Sequence, residues 1–306
     1  DIHFIQGRDI FFGRHSIPDL FKVDGSAYLK FTPFYNNAIA HVTKEKPAAA
    51  TSGHNFIKLR DEHTILGQNR MRELMRINTV DGVSQTVFTP GRAAAVRALR
   101  TWARSGIIYA NSKDVMFMDS TSHLSAYLHF GILGPVEIMD YLKSRKNKNR
   151  KEILRQLLWR EFYLFIVWKQ HTDYSKKSRT LRLNNQIRWK VDQHAYVRWT
   201  LGQTGCPIVD AGMRELAATG YMQNRARMIV AMYLIYHLRL DWRLGEMHFA
   251  RHLTDYDYCN NLGGWLWCAG WEVYSNDWFR PFSMHSQMMR FDADAKYVHQ
   301  WCPELK

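Results

Sequence analysis

The chain has 306 residues, 46% of them hydrophobic and 14% aromatic, which is enough for the core of one large domain or two ordinary ones. Its formal charge of +14 favours a polyanionic partner such as nucleic acid over a membrane surface or a small acidic substrate. The four cysteines include no CxxC pair, so neither a metal site nor a disulfide framework is indicated, and free thiols are expected. With no membrane-length apolar run and no signal segment, we expect a soluble intracellular protein of the cytoplasm or nucleus, not a secreted one.

Three regions of the chain differ in pattern. Residues 3–36 alternate apolar and polar positions around Gly, Pro and Asp-Gly turns, as short strands and loops do. Residues 41–87 lack steady periodicity and are predicted to be a linker. From Pro90 onward apolar residues recur three and four apart, which predicts packed helices, two of them beginning near Pro135 and Pro207.

One helix is predicted over residues 153–166. Its core face would consist of Leu154, Leu157, Leu158, Phe162, Phe165 and Ile166. The opposite face carries Gln156, Trp159, Arg160 and Tyr163, where a solvated helix would carry Lys and Glu. This second face either lines a cavity or packs against another helix.

A second helix, predicted over residues 221–235, also has two faces. Met222, Ala226, Ile229 and Tyr233 fall on one side, and Asn224, Arg227 and Met228 on the other, with Arg225 to one side. An arginine in such surroundings makes a buried ion pair or meets an anionic ligand. Asp255 and Asp257 are the candidate carboxylate partners.

Four hydroxyls cluster at a predicted helix start. They belong to Ser120, Thr121, Ser122 and Ser125. One hydroxyl would serve as an ordinary N-cap, whereas four at a helix start form a place that suits a phosphate. The stretch has no glycine-rich loop, so the residues alone do not decide between an N-cap and a phosphate-binding site.

The densest basic runs are residues 143–155 and 176–190. Such runs are often only solvated faces. Here they flank the helix that carries Trp159, and positive charge beside an aromatic cavity is the combination expected for gripping a nucleic-acid backbone and stacking a base.

A set of motifs is specific in its order and spacing. The motifs are TSHLSAYLHFG, LLWREFY, WTLGQTGCPIVDAGMRELAATGYMQNRARM, LDWRLGE, DYDYCNNLGGWLW and FDADAKYVHQWCPEL. Through them the chain resembles the photolyase and cryptochrome flavoproteins, and most of all the cyclobutane pyrimidine dimer photolyases. YLKFTPF, at residues 28–34, is similar to the segment that closes the family's amino-terminal α/β antenna domain.

The resemblance implies a mainly α fold. Residues 88–306 would form the large helical FAD-binding catalytic domain, without its usual C-terminal tail. Residues 1–40 would be the remnant of the α/β antenna domain, followed by the linker at 41–87. A monomer is expected, and the antenna chromophore is left undefined because its domain is largely absent.

The implied activity is light-driven DNA repair. In photolyases reduced FAD absorbs blue light and donates an electron to a pyrimidine dimer flipped out of the DNA, which then splits. The FAD-binding residues implied by position are Tyr109, Thr121, Ser122, Leu124, Ser125, Arg160, Arg227, Asp255, Asp257 and Asn261. The implied DNA- and lesion-binding residues are Lys113, Gln156, Trp159, Asn224, Arg225, Met228, Trp267, Arg280 and Gln287.

Two further roles follow from the resemblance. Trp265, Trp242 and Trp189 would pass electrons to the flavin, unless they are ordinary core indoles. The paired glycines at 263 and 264 would let the backbone approach the flavin ring. Trp271 receives no role.

The lesion is the least defined part of the resemblance. Gln156 stands where cyclobutane-dimer enzymes usually have Glu and is more typical of (6-4) photolyases, whereas Asn224 and Met228 are typical of the cyclobutane enzymes. Two positions against one favour the cyclobutane dimer. The alternatives are a (6-4) photolyase, a cryptochrome-like FAD photoreceptor without repair activity, and a non-catalytic remnant that binds DNA through charge.

Overall fold

A computed structural model describes residues 22, 27–42, 87–172, 188–270 and 281–306, apart from the side chains of residues 168–172. Every regular element in these ranges is helical. The α-helices are α1 (Phe31–Val42), α2 (Arg92–Arg104), α3 (Tyr109–Ser112), α4 (Ser125–His129), α5 (Pro135–Ser144), α6 (Arg150–Thr172), α7 (Gln193–Thr200), α8 (Pro207–Thr219), α9 (Asn224–Met232), α10 (Trp242–His252), α11 (Tyr258–Cys268), α12 (Met284–Phe291) and α13 (Lys296–Trp301). Within the described ranges, no helix is long and apolar enough to cross a membrane.

Helix α6 lies at the centre of the fold. It packs against α1, α5 and α11, and α11 in turn packs against α9 and α10. The core face predicted for residues 153–166 is confirmed, because all six of its apolar side chains are buried. Gln156, Trp159, Arg160 and Tyr163 on the opposite face are only partly exposed, so this face is turned toward other helices or a cavity and not toward bulk solvent. The mainly helical fold class is therefore confirmed.

The prediction of strands and loops up to residue 36 is wrong for residues 31–36, which begin α1. Phe31, Phe34 and Ala38 are the buried residues of α1, and their spacing of three and four is that of a helix face. Pro33 fits in the first turn, where its missing N–H costs no helical hydrogen bond. Residues 3–21 lie outside the described residues.

The helix predicted from residue 221 begins later, at Asn224. Gln223 has an extended backbone, and its side chain accepts a hydrogen bond from the Arg225 amide at 3.2 Å, which caps the helix. The C-terminal part, Tyr233–His237, widens into a π-helical turn. The polar cap of α9 is thus provided by a residue that was predicted to lie inside the helix.

Close packing of α11 depends on two glycines. A Cβ at Gly245 of α10 would lie 2.0 Å from the Trp265 ring, and one at Gly263 would lie 2.2 Å from the Tyr163 ring. Neither contact is sterically possible for another residue without movement of an aromatic ring. These two close contacts fix the position of α11 against α10 and α6. They therefore also fix the α11 residues that line the cavity.

The cysteine prediction is confirmed. Cys206, Cys259, Cys268 and Cys302 are all free. Burial raises the pKa of Cys268 to about 12 and that of Cys259 to about 11, so both thiols stay protonated at neutral pH.

Candidate functional site

A cavity of about 490 Å³ opens between α4, α6, α9 and α11. This volume lies within the range of cofactor and ligand sites, about 300–1,000 Å³. The predicted site residues that line it are Tyr109, Ser122, Leu124, Ser125, Gln156, Trp159, Arg160, Asn224, Arg227, Met228, Asp255, Asp257, Asn261, Trp265 and Trp267. Residues assigned to the cofactor and residues assigned to the lesion thus surround one space.

The hydroxyl cluster is divided by the structure. Ser120 is fully buried, donates to the Ser112 carbonyl at 2.8 Å and accepts from the Trp102 indole through its own carbonyl, so it anchors the loop. Ser122 and Ser125 line the cavity, whereas Thr121 lies 3.4 Å from the Tyr221 hydroxyl. None of the four hydroxyls caps α4, whose N-cap residue is Leu124. The cap interpretation is therefore wrong, and two hydroxyls remain available to a ligand.

Tyr109 stands beside these hydroxyls at the start of α3. Its backbone amide donates to Asn149 Oδ1 at 2.8 Å, and its ring packs edge-on against Trp102. Burial, reinforced by the charge of Glu152, raises the pKa of Tyr109 to about 12. Its hydroxyl is therefore a proton donor at any physiological pH, as an anionic oxygen requires.

Arg227 and Asp255 form an ion pair in the cavity wall. One terminal nitrogen of Arg227 lies 3.0 and 2.9 Å from the two Asp255 oxygens, and Nε donates to the Met222 carbonyl at 2.7 Å. The Asp255 side chain is only 3% exposed. Burial alone would lower the pKa of Arg227, but the Asp255 carboxylate raises it, so the guanidinium stays charged. The carboxylate partner expected for this arginine is thus in contact with it.

Arg160 and Asp257 form a looser pair on the same wall. Their charged groups are 3.8 Å apart, and Arg160 also reaches the Leu128 carbonyl at 3.5 Å. Asp257 is the N-cap of α11 and accepts from the Asn260 amide at 3.0 Å. Two carboxylates and two guanidiniums therefore line the cavity as two ion pairs.

Asn261 is oriented by a carboxylate that the sequence did not reveal. Its Nδ2 donates to Glu246 Oε1 at 3.0 Å, and the Tyr256 hydroxyl donates to the same oxygen at 3.1 Å. Because Nδ2 is engaged by Glu246, the amide oxygen of Asn261 is left as the group that a cavity ligand can meet. Glu246 lies in LDWRLGE, but no spacing in that motif indicates which residue it contacts.

Five of the residues predicted to bind the lesion line the cavity: Trp159, Trp267, Gln156, Asn224 and Met228. Asn224 Nδ2 lies 3.7 Å from the Met228 sulfur. Gln156 donates to Glu152 Oε1 at 3.3 Å. Gln156, Asn224 and Met228, whose identities point to different lesions, thus line the same cavity.

Three other residues predicted to bind DNA do not line the cavity: Lys113, Arg225 and Gln287. Lys113 forms an ion pair with Glu152, while Arg225 binds Asp114 at 2.8 Å and has its guanidinium carbon 4.2 Å from the centre of the Phe291 ring. The Gln287 carboxamide oxygen is buried and has no hydrogen-bond donor within the described part of the chain. Arg280 and Trp271 lie outside the described residues.

The three tryptophans predicted to carry electrons are all well covered. Trp265 is 2% exposed and lines the cavity, Trp242 begins α10 and is buried, and Trp189 is partly buried ahead of α7. The Trp265 ring also meets Phe249 at 5.1 Å and Trp199 at 6.4 Å between centroids. Trp199 is thus a fully buried indole next to Trp265 that the sequence did not single out.

The two paired glycines have different surroundings, and only one of them lines the cavity. Gly263 is closed off by Tyr163, but Gly264 lines the cavity, and a Cβ there would have no atom within 4 Å. A side chain at Gly264 would project into space that is free for a ligand. Only the second glycine of the pair therefore suits the predicted approach to a flavin ring.

Together these features define a helical domain with a cavity whose polar, charged and aromatic lining suits a nucleotide-type cofactor. A family model described as the FAD binding domain of DNA photolyase matches residues 153–306. The chain belongs to this photolyase family, whose cofactor is FAD.

Known relatives agree with this assignment. Deoxyribodipyrimidine photo-lyase of Alkalihalophilus pseudofirmus is 32% identical over 292 residues, which are 94% of this chain and 60% of the relative. The enzyme of the same name from Salmonella typhimurium is 37% identical over 227 residues, or 72% of this chain and 48% of the relative. The chain thus spans about half to three fifths of the length of these relatives.

Solved structures show the same fold. A bacterial class III photolyase from Agrobacterium tumefaciens aligns with a TM-score of 0.80 and 28% identity, covering 97% of this chain and 61% of the other. A cryptochrome from Synechocystis aligns with a TM-score of 0.71 and 28% identity, covering 97% of this chain and 60% of the other.

Proposed function

We propose that the chain is the catalytic portion of a deoxyribodipyrimidine photo-lyase that splits cyclobutane pyrimidine dimers in DNA with blue light. One observation carries the proposal: the residues matched to FAD and those matched to the lesion surround a single cavity. A flipped dimer bound there would lie beside the cofactor, within the short range that electron transfer between them requires.

The residues present fit FAD. Tyr109, Ser122 and Ser125 would donate hydrogen bonds to its phosphates, and the open space at Gly264 would admit a flat ring. Arg160 and the Arg227–Asp255 pair would border it, and Asn261, held by Glu246, would present its amide oxygen. When bound and reduced, FAD supplies the electron that light drives into the dimer. Trp265 is the indole of the proposed electron chain that lines the cavity.

The chain's own residues would bind the lesion and exclude water. Trp159 and Trp267 offer apolar flat surfaces to the dimer, and stacking on an aromatic side chain contributes about 1–3 kcal/mol per base. Gln156 and Asn224 supply amide donors and acceptors for the pyrimidine edges. Met228 completes this wall with an adaptable thioether.

Binding along the DNA backbone would be electrostatic. Residues 143–151 carry Lys143, Arg145, Lys146, Lys148, Arg150 and Lys151, all exposed. This run leads into α6 and so toward Gln156 and Trp159 at the cavity. Lys113 and Arg225 are already engaged by carboxylates, so we infer that the exposed run contributes more to non-specific affinity than they do.

The identity of Gln156 does not by itself determine which lesion the site binds. Its amide nitrogen is held by Glu152, which leaves the carboxamide oxygen as the acceptor for a pyrimidine N–H. Asn224 and Met228 carry an amide and a thioether, neither of which can act as a general acid. These two positions therefore lack the acid–base chemistry that an imidazole would supply to repair of a (6-4) photoproduct. This composition favours the cyclobutane dimer.

The test is a repair assay with the reduced, FAD-loaded protein on oligonucleotides that carry a cyclobutane dimer or a (6-4) photoproduct. We expect light-dependent loss of the cyclobutane dimer only, and none in the dark. Trp159→Ala should lose dimer affinity, whereas Trp301→Ala on α13, away from the cavity lining, should not. Flavin photoreduction with neither repair nor selective dimer binding would instead favour a cryptochrome-like photoreceptor, which the fold also permits.

A further inference from the structure

We propose that Phe31 of α1 is a positioning residue for lesion recognition: it stacks on the far face of Trp159 and leaves the other face for a base. The inference rests on the proposed function, since it concerns the same cavity wall. It gives a role in the site to a segment that sequence similarity assigns to the end of an antenna domain.

The stack is close and nearly parallel. The centroids of the Phe31 and Trp159 rings are 3.7 Å apart, and the ring planes differ by 8°. Phe162 meets Trp159 edge-on at 5.7 Å, and Tyr163 lies tilted at 5.6 Å. Trp159 therefore has one face covered by Phe31 and neighbours on α6 at its sides, while it still lines the cavity.

Helix α1 holds Phe31 in place through its other buried aromatic residue. Phe34 is fully buried, and its ring packs 5.3 Å from Phe162 and 5.7 Å from Phe165. Because Phe31 and Phe34 are three residues apart, they lie on one face of α1, so anchoring Phe34 on α6 sets Phe31 over Trp159. Phe31 itself is only 7% exposed.

A cation also lies close to the Phe31 ring. The guanidinium carbon of Arg155 lies 5.9 Å from the centroids of both Phe31 and Tyr35, within cation–π range. Arg155 is exposed. Phe31 thus has the Trp159 indole stacked on it and an exposed guanidinium within reach, and a pyrimidine would stack on the free face of Trp159.

This arrangement has a consequence for affinity. A free indole loses rotational freedom when a base stacks on it, and that loss weakens binding. Phe31 already restricts the rotation of the Trp159 indole before a ligand binds, so less freedom is lost on binding. Its removal should therefore weaken binding of a stacked base while leaving FAD binding unchanged, because Phe31 itself does not line the cavity.

The experiment uses the FAD-loaded chain in the dark and measures its affinity for an oligonucleotide with a single thymine dimer and for the same oligonucleotide undamaged. Phe31→Leu keeps an apolar side chain but removes the ring, and Phe31→Tyr restores the ring. An aromatic pair contributes enough for its loss to weaken dimer binding by about two- to tenfold. Phe31→Tyr should bind as the original chain does, and affinity for undamaged DNA and FAD content should not change.

A double-mutant cycle separates positioning from general stability. In a Trp159→Ala background Phe31→Leu should have no further effect on dimer affinity, because there is no indole left to position. Ile39→Ala is the matched control: it trims the same helix about 12 Å further along and away from Trp159. It should lower thermal stability without changing dimer affinity.

Three outcomes would overturn the inference: unchanged dimer affinity in Phe31→Leu, an equal loss for undamaged DNA, or an undiminished effect in the Trp159→Ala background. Failure of the proposed function would look different, since the original chain would then bind the dimer no better than undamaged DNA. That result would remove both proposals at once.

Discussion

Replacing Gly245 by alanine tests how α10 positions Trp265. The added Cβ would lie 2.0 Å from one carbon of the Trp265 ring and 2.6 Å from two others. Carbon atoms in contact are about 3.5 Å apart, so the ring or the helix must move by about 1.5 Å. Overpacking of this kind costs about 1–3 kcal/mol or more. The helical preference for alanine over glycine offsets roughly 1 kcal/mol of that cost.

Gly264→Ala is the matched comparison, because Gly264 is also a helical glycine but has open space at its Cβ. The helical gain is common to both variants, so their free energies of unfolding should differ by the overpacking cost alone, about 1–3 kcal/mol. Urea unfolding of the FAD-free proteins, followed by far-ultraviolet circular dichroism, measures this difference. Gly264→Ala should instead lower FAD occupancy, because its methyl group projects into the cavity. Equal stability of the two variants, or full FAD occupancy in Gly264→Ala, would refute the reasoning.

Three other variants test separate parts of the site and fold. Asp255→Asn should lower the free energy of unfolding by about 3 kcal/mol, measured in urea, because it leaves the Arg227 charge without its carboxylate. Burial raises the pKa of Glu215 from its ordinary value of 4.5 to about 7, so the folded chain binds more protons than the unfolded one between these values. Stability should therefore fall as pH rises from about 4.5 through 7, by up to roughly 1.4 kcal/mol per unit, and Glu215→Gln should remove that slope; a slope that persists would contradict the assignment. Glu152→Ala should weaken dimer binding more than FAD binding, because it removes the carboxylate that holds the Gln156 amide. Titrations with dimer-containing DNA and with FAD measure the two affinities, and equal losses would show that Glu152 does not act through Gln156.

Helix α6 shows which features of the fold the spacing of apolar residues can predict. Its apolar residues recur at helical spacing and all became buried, so the core face could be predicted from local sequence alone. The opposite face could be identified as unusual but not located, because which helix it faces depends on contacts far along the chain. Family resemblance brought the cofactor and lesion residues to one site, and the cavity lining agrees with most of them.

The residues that sequence reasoning missed act through distant contacts. Glu246 orients Asn261 from another helix, and Phe31 reaches Trp159 across more than a hundred residues. Nothing in the local pattern of either residue distinguishes it from an ordinary surface carboxylate or core ring. Similarly, two adjacent glycines looked equivalent, and only the packing of Tyr163 against Gly263 separates their roles.

The central claim is that one cavity holds both the flavin and the flipped dimer. The most direct measurement is the flavin absorption spectrum of the FAD-loaded chain during titration in the dark with an oligonucleotide that carries one cyclobutane thymine dimer. The proposed site predicts a saturable change in the flavin bands that undamaged DNA does not produce and that Trp159→Ala abolishes. Tight dimer binding with an unchanged flavin spectrum would contradict it, because the lesion would then be bound elsewhere.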